Sequence, residues 1–357
     1  MRFIAVVIFQ LISLLAMGSS DTLKLLFIGD VMQHAAQLDA AFDGKGNRRD
    51  AASYHYARYF QHLKPQFEKV DIVAANMETT FGPAPFTGYP AFCSPSTLAV
   101  EAKESGINLF FASNNHSVDR GAAGLKGTIE LYEQLEIPYT GIYRDSSEEL
   151  ANHPLILSKK NIKIAFLNYT YGTNGIEVPS PFIVKLLDSA TVRRDLATAR
   201  FAKPDFIIVS VHWGEEYKLS PSINQFNWES LFYNNGADII IGSHPHVPQD
   251  VVTYRDPNGD VKQITAYSLG NAISNMTAKN TRIGIMLEIN LIKTCFEQKE
   301  ILQPKVHYIW TSRPAATSGY FTIVPMKEYL DSPSCFNIKG EYELIKNYYN
   351  TFKKNDR

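Results

Sequence analysis

Residues 23–30 read LKLLFIGD, an apolar run that ends in a glycine and an aspartate. A continuous apolar run bounded by a turn predicts a short strand that is buried on both faces. Residues 71–76 (DIVAAN) and 205–212 (DFIIVSVH) repeat the pattern, and each also ends in a polar residue. Helical spacing separates these runs, which predicts βαβ units and a largely parallel sheet. Ligand sites in such sheets form at the carboxyl ends of the strands, so these polar residues are the first candidates for function.

Helical and strand-like segments alternate along most of the chain, and strands dominate towards its end. The helices predicted from apolar spacing are 51–69, 95–106, 121–135, 188–202, 223–235 and 341–352. Further strands are predicted at 107–112, 137–143, 155–158, 162–169, 238–242, 251–255, 262–269, 282–292, 306–311 and 320–324. The sequence shows no internal repeat and no linker. We expect an α/β protein with two sheets that are covered by helices on their outer faces.

Composition and charge exclude several classes of protein. Of 357 residues, 45% are hydrophobic and 20% are charged, which is typical of a soluble globular protein and not of a disordered or fibrous one. The 35 lysines and arginines are balanced by 36 acidic residues, so no basic excess predicts nucleic acid as a partner. Among the cysteines, Cys295 and Cys335 both lie in the C-terminal region, and their spacing alone does not show whether they pair.

The first residues of the chain predict an export signal. Arg2 precedes an apolar run at 3–17, and small residues (GSS) follow at 18–20. A positive charge, an apolar segment of about 15 residues and a small-residue exit describe a secretory signal peptide. The alternative is an uncleaved anchor, but the run is short for a bilayer span of about 20 residues. We therefore expect a signal peptide at 1–20 and an exported protein, periplasmic or extracellular.

Polar residues that bind metals or act as acids and bases follow six of the predicted strands. They are Asp30; Asn76 and Glu78; Asn114, Asn115, His116 and Asp119; His212, Trp213 and Glu216; His244 and His246; and Asn271. Imidazole, carboxylate and amide oxygen form a mixed ligand set that suits Zn, Mn or Fe better than Ca. If the segment His244-Pro245-His246 is extended, both rings lie on one side of it. Two ions about 3.5–4 Å apart would clamp both oxygens of a displacement at phosphorus.

Each of these residues has a structural explanation when it is taken alone. An aspartate after a glycine, such as Asp30, is common as a turn or capping residue. His212 beside Trp213 fits a packed histidine at a strand end, whereas His244-Pro245-His246 is the most specific segment. The interpretation as a metal site therefore depends on the whole set. The sequence contains no G-x-x-x-x-G-K-[ST], H-E-x-x-H or G-x-S-x-G motif, which argues against a P-loop, a zincin peptidase and a serine esterase.

Taken in order, these motifs resemble those of the poly-γ-glutamate capsule synthesis proteins of the CapA type. The resemblance is carried by Gly29-Asp30, Asn76-Met77-Glu78, Asn114-Asn115-His116 with Asp119 and Gly121, His212-Trp213-Gly214 with Glu216-Tyr217, Gly242-Ser243-His244-Pro245-His246, and Ser268-Leu269-Gly270-Asn271. It covers about residues 23–290 and implies one domain at 21–292. We expect the strands and helix of 293–357 to pack on the same domain. Because that family resembles the calcineurin-like metallophosphoesterases, a four-layer α/β/β/α sandwich with one or two divalent transition metal ions is expected.

The resemblance also implies roles for individual residues. Asp30 would be the carboxylate that two ions share, and His116 the catalytic histidine, held by Asp119. The expected metal ligands are Asp30, Glu78, Asn115, His212, His244 and His246, and the expected substrate contacts are Asn76, Trp213, Glu216 and Asn271. The chain departs from the phosphoesterase pattern at Met32, where that pattern has a histidine and where His34 is the nearest one. It departs again at the second strand end, where the phosphoesterase pattern has an aspartate and this chain has Asn76 and Glu78.

Two functions follow from this interpretation. The first is a secreted metal-dependent hydrolase that acts on a phosphoester or amide-like bond in a cell-envelope polymer. The second is a non-catalytic assembly or export factor for a capsule polymer, with a vestigial metal site. The expected partners are a polyanionic envelope or capsule polymer, or its precursor, and the membrane-bound capsule synthesis machinery. A glycosidase that uses Glu215 and Glu216 is disfavoured, because adjacent residues of a strand point to opposite faces.

Overall fold

In a computed structural model of the protein, the structure describes residues 20–354. The strands are β1 Asp21–Val31, β2 Ile72–Met77, β3 Leu109–Phe111, β4 Tyr139–Thr140, β5 Ile142–Tyr143, β6 Leu155–Lys159, β7 Ile162–Thr170, β8 Ile183–Val184, β9 Phe206–His212, β10 Ile239–Ser243, β11 Val251–Arg255, β12 Val261–Ala266, β13 Asn271–Ile273, β14 Ile283–Lys293, β15 Lys299–Ile301, β16 Lys305–Ser312 and β17 Thr322–Pro325. The signal peptide predicted at 1–20 lies outside the described residues except for its last residue.

The helices lie between these strands in the order that the alternation predicts. They are α1 Ala35–Ala41, α2 Ala57–Phe60, α3 Lys64–Phe67, α4 Thr97–Glu104, α5 Gly121–Gln134, α6 Ser146–Asn152, α7 Ser189–Phe201, α8 Ile223–Asn234, α9 Pro314–Thr317, α10 Met326–Asp331 and α11 Tyr342–Lys353, with 3-10 turns at Ala51–Ser53 and Pro333–Cys335. Across residues 20–354, no helix is both long and apolar enough to cross a bilayer.

One large sheet has two parallel halves. The strands follow the order β4-β3-β2-β1-β14-β15-β12-β10-β9-β7-β6. In the first half, β1, β2, β3 and β4 are parallel, and in the second half β12, β10, β9 and β7 are parallel. The long strand β14 and the short β15 join the halves by antiparallel pairing. Each half therefore presents several carboxyl strand ends at one edge.

The side chains of each strand divide between two cores. In β1, Leu25 and Phe27 enter a central core, whereas Leu26 and Ile28 enter a second core beneath α5. This alternation is the period of two of a strand that is buried on both faces. In β9, Ile208 packs in the same central core, whereas its neighbours along the strand pack in a third core against α7 and α8. The two halves of the sheet thus face each other across the central core and carry helices on their outer faces, which confirms the expected four-layer α/β/β/α sandwich.

The segment after β14 packs on the same structure. Strand β16 pairs with β14 and then with β17. Helix α11 contributes Ile345 and Phe352 to the central core, beside Trp310 of β16. Cys295 and Cys335 are both exposed and unpaired in this segment, and Cys93 is a buried free thiol.

Two elements that were predicted to be continuous are interrupted in the structure. The helix expected at 51–69 is broken into a 3-10 turn, α2 and α3. Pro65 in the first turn of α3 explains part of the break, because a proline has no N–H for the interior of a longer helix. The strand expected at 137–143 is divided into β4 and β5 by Gly141, whose φ is +106°. A Cβ there would lie 2.4 Å from Oδ1 of Asn168, so this turn requires glycine.

Candidate metal centre

The strand-end residues predicted to bind metal converge at one edge of the sheet. Asp30 ends β1, Glu78 follows β2, His212 ends β9, and His244 and His246 follow β10. The backbone N–H of His244 lies 3.3 Å from Oδ2 of Asp30, which connects the two halves of the sheet. Oε1 of Glu78 lies 3.5 Å from Nε2 of His212 and 3.8 Å from Nε2 of His246. The expected convergence is therefore present.

Asn115 completes this group from the loop after β3. Its Oδ1 lies 2.9 Å from Nε2 of His212. On the other side of the same ring, Nδ1 of His212 lies 2.8 Å from Oγ of Ser243, which orients the imidazole. The ring of His212 is also 4.8 Å, centroid to centroid, from that of His244. All six predicted ligands thus belong to one buried cluster.

The two carboxylates of the cluster differ in their hydrogen bonding. Oδ1 of Asp30 accepts a hydrogen bond of 2.7 Å from the amide of Asn76, and Oδ2 lies 3.1 Å from Nδ1 of His246. Glu78 is 0% exposed and has only the longer contacts with His212 and His246, because neither of its oxygens has a hydrogen-bond partner among residues 20–354. A buried carboxylate without a partner is expensive, and such groups are normally paired or bound to a metal. The hydrogen bonding therefore favours Glu78 over Asp30 for the shared position, while the role predicted for Asp30 stays a prediction.

The segment that carries His244 and His246 is not extended, so the prediction from strand periodicity is wrong. His244 has a φ of +94° and His246 a φ of +58°, both in the left-handed region that residues with a Cβ rarely adopt. The two rings nevertheless lie 5.8 Å apart between centroids. A tight turn, rather than a strand, therefore brings them together, and strained backbone of this kind is typical of functional sites.

The charges of the site favour a cation. Burial alone lowers the pKa of His246, but the carboxylates of Glu78 and Asp30 outweigh it and raise the pKa to about 9. Burial tends to raise the pKa of Asp30, yet the hydrogen bond and charge of His246 hold it below its usual value. For His244, burial and the neighbouring His212 and His246 lower the pKa well below its ordinary value. The carboxylates thus create a negative field that a cation would neutralise.

Two sets of donor atoms lie close enough to surround an ion. In one, the donors of Asp30, Glu78 and His246 lie within 4.8 Å of one another, and in the other the same holds for Glu216, His244 and His246. Nδ1 of His244 is buried and, like the oxygens of Glu78, has no hydrogen-bond partner in the part of the chain that the structure describes. These unpaired atoms and the mixed oxygen and nitrogen donors fit a divalent transition metal ion.

The predicted catalytic pair lies beside the cluster. Nδ1 of His116 is 2.8 Å from Oδ2 of Asp119, and the same oxygen accepts a hydrogen bond of 2.7 Å from the N–H of Phe92. The ring of Phe92 packs edge-on against His116 at 4.6 Å. Within residues 20–354, Nε2 of His116 has no hydrogen-bond partner, so the ring is held by one nitrogen and open at the other.

The four predicted substrate contacts occupy different environments. The amide of Asn76 donates to Asp30. Asn271 is also buried: its Oδ1 lies 3.0 Å from Nδ1 of His246, and its amide donates to Ser274 and Thr281. Both asparagines therefore orient ligand residues. Of the four, only Glu216 is exposed.

The prediction for Trp213 is wrong. Its ring is 1% exposed and packs in the core beneath α7 and α8, beside Phe232. Its Nε1 donates a hydrogen bond of 2.8 Å to the carbonyl of Tyr267. Because Trp213 directly follows His212, whose ring lies in the site, its own side chain points to the opposite face of the sheet.

His34 does not join either donor set. It stands at the N-terminus of α1, where its Nδ1 is 3.1 Å from Oε1 of Gln37 and 3.3 Å from the backbone N of Asn275. Burial lowers the pKa of His34 to about 4. His34 therefore caps a helix near the site and does not replace the histidine missing at Met32.

Sequence reasoning missed two aromatic residues at the site. The half-exposed ring of Tyr171 lies 4.6 Å from that of His244. Phe92, which holds Asp119 and covers His116, comes from a loop between β2 and α4. Tyr171 lies two residues after the strand predicted at 162–169, which is a signal that sequence analysis could have used, whereas no sequence pattern marks Phe92.

Comparison with known proteins identifies the family. Residues 24–276 match the family model described as bacterial capsule synthesis protein PGA_cap. The chain is 24% identical over 283 residues to the capsule biosynthesis protein CapA of Bacillus anthracis, with 76% of this chain and 64% of that protein covered. It is 26% identical over 308 residues to the PGA biosynthesis protein CapA of Bacillus subtilis, with 81% and 73% covered. This chain thus spans less than two thirds of the first relative's length.

Solved structures give the fold. The structure resembles that of Haemophilus influenzae NAD nucleotidase (TM-score 0.51, 15% identity, covering 94% of this chain and 68% of that one). It also resembles a putative 5'-nucleotidase from Staphylococcus aureus (TM-score 0.50, 14% identity, covering 80% and 54%). At these identities the likeness concerns the fold alone. Because the family model covers most of the chain, the protein belongs to the bacterial capsule synthesis protein family, and its fold is that of the metallophosphoesterases.

Proposed function

We propose that this protein is a metal-dependent hydrolase that acts on a phosphoester or amide-like bond during capsule or cell-envelope polymer metabolism. One observation supports this function above the others. The fully buried carboxylate of Glu78 has two unpaired oxygens and lies between His212 and His246. A group with a purely structural role would have hydrogen-bond partners. A bound cation would be a partner for these oxygens and would supply the chemistry of the proposed hydrolysis.

The residues of the cluster would hold one or two ions of Zn, Mn or Fe. The ligands are Glu78, Asp30, Asn115, His212, His244 and His246. When bound, such an ion supplies Lewis-acid polarisation of the phosphoryl or carbonyl oxygen of the substrate. Asn76, Ser243 and Asn271 keep the ligand side chains in place through the hydrogen bonds described above, as partners of metal ligands commonly do.

His116 supplies the proton transfer. Asp119 accepts a hydrogen bond from the N–H at Nδ1 and keeps the ring in one orientation, which leaves Nε2 as the nitrogen that faces substrate. In its protonated form, His116 donates from Nε2 to the leaving oxygen or nitrogen as the bond breaks. Phe92 excludes water from one side of this ring.

The capsule role comes from the relatives. Two related proteins are named for capsule or PGA biosynthesis, and we extend that role to this chain. The substrate would then be a polyanionic capsule or envelope polymer, or a precursor of it, handled with membrane-bound synthesis machinery. The apolar run at 3–17 supports a location outside the cytoplasm, because it resembles a secretory signal peptide.

A second candidate function is a non-catalytic capsule assembly or export factor. The observation in its favour is Met32, a buried residue at the position where the phosphoesterase pattern has a histidine. A site that has lost one ligand position can retain a bound ion without the arrangement that turnover requires. The polymer would then bind at the metal centre without being cleaved.

Metal-dependent turnover separates these functions. Purified protein is stripped with EDTA, reloaded with Mn²⁺, Zn²⁺ or Fe²⁺, and tested on p-nitrophenyl phosphate, bis(p-nitrophenyl) phosphate and poly-γ-glutamate. We expect hydrolysis of at least one substrate that disappears on stripping and returns on reloading. The exposed His55 provides the control, because His55→Ala should retain the activity. Metal binding without turnover on any of these substrates would favour the assembly factor.

A further inference from the structure

Glu216 lies on a loop that is tied to the histidine turn. The loop follows β9 and contains two residues in the left-handed region, Gly214 with a φ of +88° and Tyr217 with a φ of +66°. The backbone N–H of Tyr217 donates a hydrogen bond of 2.8 Å to the carbonyl of Pro245. Pro245 separates His244 from His246, so this bond fixes the position of Glu216 relative to both rings.

The donor atoms meet at the mouth of the buried cluster. A carboxylate oxygen of Glu216 and one ring nitrogen each of His244 and His246 lie within 4.8 Å of one another. Glu216 is exposed, whereas both histidines are buried. The set therefore lies at the boundary between the closed cluster and solvent, with an open side for substrate.

A second observation points to a ligand at this place. Nδ1 of His244 is buried without a hydrogen-bond partner, although a buried imidazole normally has its nitrogens bonded. The strained backbone at His244, with its φ of +94°, holds the ring in this position. Strain and an unpaired nitrogen on one residue are both costs to the folded protein, and a bound ion offsets them.

Glu78 separates this outer set from an inner one. Its Oε1 lies 3.5 Å from Nε2 of His212 and 3.8 Å from Nε2 of His246. His212 is in turn 2.9 Å from Oδ1 of Asn115. His246 has its Nδ1 beside Asn271 and Asp30, which leaves Nε2 for the ion that it binds.

We propose that Glu216 is a metal ligand and that, with His244 and His246, it forms an outer metal site beside an inner site that includes Asp30 and Glu78. Glu216 thereby adds a ligand to a centre in which Met32 provides none. Two nitrogens and one carboxylate oxygen select a transition metal such as Zn²⁺ or Mn²⁺, whereas Ca²⁺ and Mg²⁺ prefer oxygen ligands. This inference rests on the proposed metal-dependent function and assigns a ligand within the same site.

The neighbouring glutamate provides a matched control. Glu215 is also exposed and carries the same charge, but it belongs to neither donor set. It faces a shallow surface pocket that it shares with Lys218 and Ser222. Glu215→Gln and Glu216→Gln therefore remove the same charge from adjacent positions, and only the second removes a donor.

The test measures the number of bound ions, not activity. Stripped wild type, Glu216→Gln and Glu215→Gln are titrated with Zn²⁺ by calorimetry, and bound metal is counted by elemental analysis after dialysis. We expect two equivalents in wild type and in Glu215→Gln. In Glu216→Gln we expect one tight equivalent, with the affinity for the second lowered about 100-fold or more, since even partners of ligands contribute about 10–100-fold.

The outcomes distinguish this inference from the proposed function. If Glu216→Gln binds two ions as tightly as wild type, Glu216 is not a ligand, while metal-dependent turnover of wild type would leave the hydrolase intact. If both variants lose the second ion equally, the effect is one of charge and the inference is wrong. Wild type that binds no ion would overturn both. A Co²⁺ absorption spectrum that changes in Glu216→Gln, but not in Glu215→Gln, would support ligation directly.

Discussion

Two buried histidine–aspartate pairs lie in different halves of the molecule, and their surroundings differ. His116 is held by Asp119 at 2.8 Å, and His153 contacts Asp195 at 3.0 Å. The second ring nitrogen of His153 is 3.0 Å from the hydroxyl of Tyr143, so both of its nitrogens have partners. His116, by contrast, has a free Nε2 beside the metal cluster.

The polar groups around the two pairs also differ in whether they have partners. Asp195 contacts Nζ of the buried Lys185 at 2.7 Å and the hydroxyl of Tyr169 at 3.1 Å. Lys185 also pairs with Glu149, so within residues 20–354 no buried side-chain polar atom of this network is left without a partner. In the metal cluster, Glu78 and His244 are left with unpaired atoms. A complete network of this kind stabilises the fold, whereas the atoms of Glu78 and His244 that lack hydrogen-bond partners are those that the proposed cation would bind.

The largest expected effect is on catalysis by His116. Replacing it by alanine removes a positioned proton donor, so metal-dependent turnover should fall by about 10²–10⁴-fold. Because His116 is not among the proposed ligands, the bound metal should stay at the wild-type level. Steady-state rates and elemental analysis of the same samples provide the measurement. Loss of metal in His116→Ala would show that this histidine is a ligand.

The next effect is on stability at the other pair. Asp195→Asn leaves the buried Lys185 with only Glu149 as a charged partner, and breaking a buried ion pair costs about 3–5 kcal/mol. We expect a loss near the lower value, about 3 kcal/mol, in urea unfolding, with metal content unchanged. Asp39→Asn, at an exposed ion pair, serves as the control and should change stability by less than about 1 kcal/mol. Equal losses of stability in Asp195→Asn and Asp39→Asn would contradict the prediction that the buried ion pair contributes more than the exposed one.

The smallest effect concerns pH. Burial lowers the pKa of His153, with Lys185 acting in the same direction and Asp195 against it. The folded protein then binds a proton at His153 less readily than the unfolded chain does, because histidines of an unfolded chain titrate at about pH 6.5. The contribution of His153 to the free energy of unfolding is therefore fully present above that pH. It is lost as the pH falls, by at most about 1.4 kcal/mol per pH unit. Urea unfolding of EDTA-treated protein between pH 7 and 5 should show a flatter dependence in His153→Gln, and an unchanged slope would contradict this.

The parts of the molecule that could be predicted from sequence are local. The apolar run at 23–30 and its equivalents specify buried strands, and polar residues after each run mark the carboxyl edge of the sheet. Neighbouring parallel strands bring such ends together, so the proximity of Asp30 and Glu78 followed from the pattern. The approach of His212 depends on how the two halves of the sheet face each other, which the pattern does not show. The position of Trp213 was predictable on the same basis, because alternation places it opposite His212.

Other features depend on contacts between distant segments. The left-handed backbone of His244 and His246 results from a turn anchored by the loop of Glu216, and no local signal shows it. The preference for Glu78 over Asp30 as the shared carboxylate depends on which oxygens already have partners. Such hydrogen bonding is a property of the folded structure.

Metal-dependent stability of wild type and Glu78→Gln tests most directly the claim that the incomplete network requires a cation. Unfolding is followed in EDTA and at rising Zn²⁺ or Mn²⁺. Wild type should gain about 2.7 kcal/mol when free metal reaches 100 times the dissociation constant, and Glu78→Gln should gain little. A Glu78→Gln variant that gains as much stability from the metal as wild type, or a wild type whose stability does not rise with added metal, would contradict the claim.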